Sequence, residues 1–103
     1  MTKVSEHKAD ILQPSDVLPA RRDGLSIQPF GDEHVLVDEA SGRVHVLNRA
    51  AYQIWIHCDG HTTISYLVNE LSTSFSDTIH DVLISDISNT LAHLRGEKLF
   101  VDS

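Results

Sequence analysis

The sequence predicts an α+β domain in which a three-stranded antiparallel sheet is followed by three helices. Two observations carry this prediction. Apolar residues recur with period two from Gly24 to Leu47, then with the helical period from Asn48 onward. The linkers between the period-two stretches are short enough for hairpins.

Residues 1–20 are polar and mixed in charge, carry Pro14 and Pro19, and show no sustained period. They are expected to form a flexible arm outside the core, leaving 21–103 as the domain proper. In "LSIQPF", Leu25 and Ile27 alternate with Ser26 and Gln28, which marks the first strand. Pro29 has no N–H to give to a ladder, so this strand belongs at an edge. In "HVLVD", Val35 and Val37 share a face. In "RVHVL", Val44 and Val46 do so, with Arg43 and His45 opposite. Gly42 suits the φ > 0 position of the hairpin between them. With strand order following the chain, residues 43–47 form the other edge, and no proline blocks further pairing there.

At Asn48 the period changes. Asn48 is a good N-cap, and Ala51, Ile54, Trp55 and Cys58 then fall on one helical face, with Gly60 as the stop. A second helix is expected after Thr63, with Ile64, Leu67, Val68, Leu71 and Phe75 on its apolar stripe. A third is expected to start near Asp77 or Thr78, with Leu83, Ile87, Leu91 and Leu94 facing the core and Gly96 ending it. The tail "KLFV" can dock as a strand-like end.

At 103 residues and 41% hydrophobic, the chain is one small domain with a modest core. Fifteen acidic against eight basic residues give a formal charge of −7, a poor match to a polyanion. A single cysteine excludes an internal disulfide. No apolar run reaches signal-peptide or membrane-spanning length, so a cytoplasmic protein is expected.

The stretch "IWIHCDGH", residues 54–61, gathers a thiol, a carboxylate and two imidazoles, and so invites a metal or nucleophile reading. Helical metal sites need ligands at i and i+4 on one face, or paired cysteines. Here His57 and His61 straddle Gly60, and Cys58 shares the apolar stripe with Trp55. The expected role is a helix C-terminus whose polar groups cap carbonyls. The chain also lacks G-x-S-x-G, H-E-x-x-H, paired C-x-x-C and phosphate-binding glycine loops. No catalytic residue, metal or cofactor is expected.

Three ordered stretches, "VLVDEASGRVHVLNRAAYQIW", "CDGHTTISYLVNEL" and "DISNTLAHLRGEKLF", resemble the PqqD-like family, named for pyrroloquinoline quinone biosynthesis protein D. The resemblance runs from about Arg21 to Val101, with the N-terminal arm outside it. It implies a winged-helix-like fold and a peptide chaperone, or precursor-peptide recognition element, not an enzyme. Such a protein holds the leader of a ribosomally made peptide and presents it to a modifying enzyme, often a radical SAM enzyme. In the family the leader adds as a strand to the third strand and lies beside the third helix. Carried onto this chain, that implicates Arg43, Val44, His45, Val46 and Leu47. On the helix, the flank beside the core line supplies Ile79, Val82, Asp86, Thr90 and His93, partly apolar and partly polar. An open edge strand is independently suited to strand addition, because its main-chain groups supply affinity and side-chain pockets supply specificity. A monomer is expected.

Two other readings compete. A winged-helix nucleic-acid regulator would need cations on its third helix. Between Ala50 and Leu94 there is no Lys or Arg, while Asp59, Glu70, Asp77, Asp81 and Asp86 lie there. A structural subunit that packs its exposed strand on an enzyme, with no peptide involved, is compatible with the same sequence.

Overall fold

In the computed structural model, which describes residues 13–101, the period-two segment forms β1 (Leu25–Phe30), β2 (Glu33–Asp38) and β3 (Val44–Leu47). They pair antiparallel in the order β1-β2-β3, so β1 and β3 are the edges. The β2–β3 turn closes at Asp38, whose carbonyl accepts from the Gly42 N–H at 2.7 Å and whose own N–H donates to the Arg43 carbonyl at 2.9 Å. Gly42 sits at φ 78°, a conformation that costs glycine little.

Three helices follow: α1 (Arg49–Ile56), α2 (Ile64–Ser74) and α3 (His80–Gly96). The Asn48 side chain caps α1 by accepting from the Ala51 N–H at 2.8 Å, and Thr63 caps α2 through the Tyr66 N–H at 3.1 Å. Among the described residues no helix is long and apolar enough to cross a membrane. One core joins the layers. Leu36 and Leu47 reach it from the sheet, Ile54 and Trp55 from α1, Leu67 and Leu71 from α2, and Ile87 and Leu94 from α3.

Four features differ from the sequence expectations. First, residues 13–20 are packed, and the arm boundary expected at residue 20 falls inside that packed segment. Leu18 is fully buried, and the carbonyls of Pro14 and Asp16 accept from the N–H groups of Ser65 and Ile64, at the open start of α2. A lone leucine between prolines shows no period, which hides it from sequence reading. The remaining residues assigned to that arm, 1–12, lie outside the described residues.

Second, α1 ends at Ile56, before the expected Gly60 stop. The N–H groups of His57 and Cys58 bond the carbonyls of Ile54 and Trp55, tightening the last turn to i→i−3. Cys58 still reaches the core and is fully buried. Gly60, at φ 83°, serves the following turn, where a β-carbon would meet that of Ala20 at 3.3 Å.

Third, α3 starts at His80, after an Ile79 that offers no side-chain cap. The expected start at Asp77 or Thr78 is taken by a turn in which the Thr78 N–H bonds the Phe75 carbonyl.

Fourth, the helix passes through Gly96, and the left-handed stop is Lys98 at φ 62°. The N–H of Leu99 bonds the Leu94 carbonyl and that of Lys98 bonds the Arg95 carbonyl, which is a Schellman arrangement. This turn sends Leu99 and Phe100 into the core, where Phe100 bridges to Arg21 as the strand-like end.

Candidate functional site

The reactive stretch folds as a turn. The Asp59 carboxylate accepts from the N–H groups of His61 and Thr62 (both 2.8 Å) and from the Thr62 hydroxyl (3.0 Å). The two main-chain bonds are the main reason its pKa falls to about 2. His57 and Cys58 do bond carbonyls, those of Gln53 and Ile54. The larger cap comes from outside the stretch: the Arg21 guanidinium donates to the carbonyls of Trp55 and Ile56 at 2.9 and 3.0 Å. Among the described residues, no three His, Cys, Asp or Glu side chains gather where they could hold a metal.

Two measurements check this turn. Burial pushes the Cys58 thiol up to about 12, the nearby Arg21 charge opposing the shift and Asp59 adding to it. Cys58 should therefore resist a disulfide reagent at mildly alkaline pH until the chain is unfolded; prompt labelling of the folded protein would contradict its burial. Because the Asp59 pKa lies below its ordinary 3.8, its ionised form stabilises the fold at higher pH. That contribution is lost as pH falls from about 4 to about 2. Asp59→Asn should flatten the acid limb of stability across that window, read from denaturant midpoints; an unchanged limb would show that the turn does not hold the carboxylate.

The free edge of β3 is the site with binding potential. Asp38 and Arg43 are bonded partners across the turn. The β2–β3 register then makes Leu36–His45 and His34–Leu47 the hydrogen-bonded pairs, and Val37–Val44 and Val35–Val46 the non-bonded ones. His45 and Leu47 therefore spend their main-chain groups on β2. Val44 and Val46 turn theirs outward, where no strand pairs with them among the described residues.

The side chains follow the same alternation. Leu36, His45 and Leu47 face the helices, while Val35, Val37, Val44 and Val46 face the other way. Val44 and Val46 are each 58% exposed on that outer face. The polar groups on the helix side are matched unevenly: Asp38 is paired, whereas the buried His34 Nδ1 and His45 Nε2 have no hydrogen-bond partner among the described residues. His34 stacks on Tyr52 with ring centroids 3.5 Å apart, and Asp38 pairs with Arg22 at 2.6 Å. Burial works against ionising Asp38, but the Arg22 side chain, the Ala40 N–H and the Ser41 hydroxyl more than offset it and hold its pKa below the ordinary value.

Helix α3 is tied to the start of this edge at its C-terminal end, through Glu97. His80 and Ile84 turn toward α2, lining a shallow pocket with Ile64, Val68 and Pro14. The opposite flank runs Ile79, Val82, Asp86, Thr90, His93 at helical spacing, and its next member is the cap residue Glu97. The Glu97 carboxylate pairs with Arg43 at 2.8 Å, which ties the C-terminal end of α3 to the turn before β3. Ile79 (65% exposed) and Val82 (44%) are open apolar surface, Asp86 and His93 are exposed, and Thr90 is half-buried. Leu47 differs from the other strand residues, since its side chain is committed to the core. Sequence reading missed Glu97, although the 86–90–93 spacing points to it one turn on.

The fold defines a small α+β domain: a three-stranded sheet whose edge strand β3 keeps its outer side unpaired among the described residues, followed by three helices. Residues 33–99 match the family model described as Coenzyme PQQ synthesis protein D (PqqD), and the chain belongs to that family. A solved structure, described as TbiB1 in complex with the TbiA(beta) leader peptide, has the same fold. It superposes with a TM-score of 0.68 at 18% identity, covering 82% of this chain and 96% of the other. No curated protein matches this chain in sequence.

Proposed function

We propose that this chain is a peptide chaperone. It binds the leader of a ribosomally made precursor by strand addition at β3 and presents the peptide to a modifying enzyme, such as a radical SAM enzyme, in the cytoplasm. The chain holds the substrate as a monomer, and the partner performs the chemistry. The observation that carries this reading is the unpaired edge at Val44 and Val46, and the Ile79–His93 flank of α3 is the surface we assign to the guest's side chains. Strand addition needs that combination, because main-chain bonds supply affinity along the edge and the neighbouring side chains select the guest. Membership of the PqqD family and a fold shared with a leader-bound protein point the same way.

The test is titration of isotope-labelled protein with a precursor peptide encoded beside its gene. Amide shifts should cluster at 43–47 and along the 79–93 flank. Shifts confined to α2, with both of those regions silent, would reject the site.

A further inference from the structure

We infer that the guest strand presents an apolar–polar–apolar triplet, its apolar side chains opposite Val44 and Val46 and a hydrogen-bonding side chain opposite His45. This inference rests on the strand-addition reading above and names the guest chemistry that the edge selects.

Residues directly opposite on neighbouring strands point to the same face of a sheet. A guest residue opposite Val44 or Val46 thus lies on the outer face, against a valine that is 58% exposed. An apolar side chain there covers valine surface that water otherwise meets, and a charged one leaves it wet.

The residue between them points to the helix side, next to His45. His45 is half-buried, and its Nε2 is buried without a hydrogen-bond partner among the described residues. Native folds seldom leave such an atom unmatched, because it loses water without gaining a partner. The buried His34 Nδ1 is unmatched too, but it lies on the inner strand β2, whereas His45 is on the open edge. Counting back along α3 from the Glu97–Arg43 pair, the next positions of the flank are His93 and Thr90, whose side chains are of hydrogen-bonding type. An apolar guest side chain would keep Nε2 unmatched. A carboxylate, amide or hydroxyl can match it, accepting or donating according to the imidazole tautomer.

The test is selection of short random peptides, displayed on phage, against the full chain and its His45→Gln and His45→Phe variants. Wild type should enrich Val, Ile, Phe, Tyr or Trp at two positions separated by one Asp, Glu, Asn, Gln, Ser or Thr. His45→Gln keeps a hydrogen-bonding group and should keep that centre. His45→Phe should move the centre to apolar residues and weaken the wild-type-selected peptides about tenfold, the size of one unmet hydrogen bond. His45→Val replaces His45→Phe if the ring prevents folding. The selected peptides are then titrated into labelled protein. If they shift the Val44 and Val46 amides but lack the alternation, or keep a polar centre against the apolar variants, this inference is wrong and strand addition stands. If nothing enriches, or the selected peptides leave those amides unmoved, strand addition at β3 is itself rejected.

Discussion

Trp55→Ala will yield little folded protein. Trp55 is 3% exposed at the junction of three parts of the chain. Its ring lies against Phe100 with centroids 6.0 Å apart, so it holds down the C-terminal end. The Arg21 guanidinium sits 5.9 Å from the ring centroid while donating to the Trp55 carbonyl, so it also positions the segment entering the sheet. Removing a buried Trp side chain costs about 3–5 kcal/mol. A domain of this size has about 5–15 kcal/mol in total. The loss therefore takes a large share of the stability, and Phe100 and Arg21 lose their common support together. Thermal melts followed by circular dichroism should show a weak or absent transition for Trp55→Ala and a smaller shift for Trp55→Phe, which keeps a ring in place. A cooperative melt near wild type for Trp55→Ala would mean that the α1 face is misassigned.

How much of this was legible in the sequence depends on how far apart the interacting residues lie. Asn48 and Thr63 act on N–H groups three residues away, so their capping roles show in the sequence. The order of the sheet also shows, because period two, Pro29 and the short turns are local signals. The outer valines show only in part. Their alternation is plain, but a strand does not declare which of its faces is buried. Here Leu36 and Leu47 take the core side, with His34 stacked on Tyr52 and Asp38 paired with Arg22 beside them. The role of Leu18 depends on contacts with a loop more than forty residues later, and no periodicity can report it. The Arg43–Glu97 pair spans 54 positions. It ties the end of α3 to the start of β3, a contact that no local signal in the sequence reports. Lys98 is the reverse case, since a local signal misled: Gly96 looks like the helix stop, but tertiary burial of Leu99 and Phe100 places the left-handed residue two positions later.

Proline substitution along β3 should separate guest binding from folding, with opposite outcomes at neighbouring residues. Val46→Pro removes an N–H that points away from β2, so the internal ladder keeps its bonds. Edge strands tolerate proline when the lost donor faces outward. The guest loses that donor and meets the pyrrolidine ring where its own backbone must approach, so leader binding should fall below detection in calorimetry while the melt stays cooperative. Val44→Pro should act the same way, with a milder effect on folding because it opens the strand. His45→Pro is the control. Its N–H belongs to the bonded pair with Leu36, so the substitution breaks the ladder that joins β3 to β2. An interior proline costs about 3 kcal/mol in a helix, and a comparable loss here would appear in the melt before any binding is measured. Side-chain changes such as Val46→Thr keep the N–H and should weaken binding far less. If Val46→Pro folds and still binds the leader as wild type does, the guest does not pair with this edge. If His45→Pro instead folds normally and loses binding, the ladder has the opposite parity.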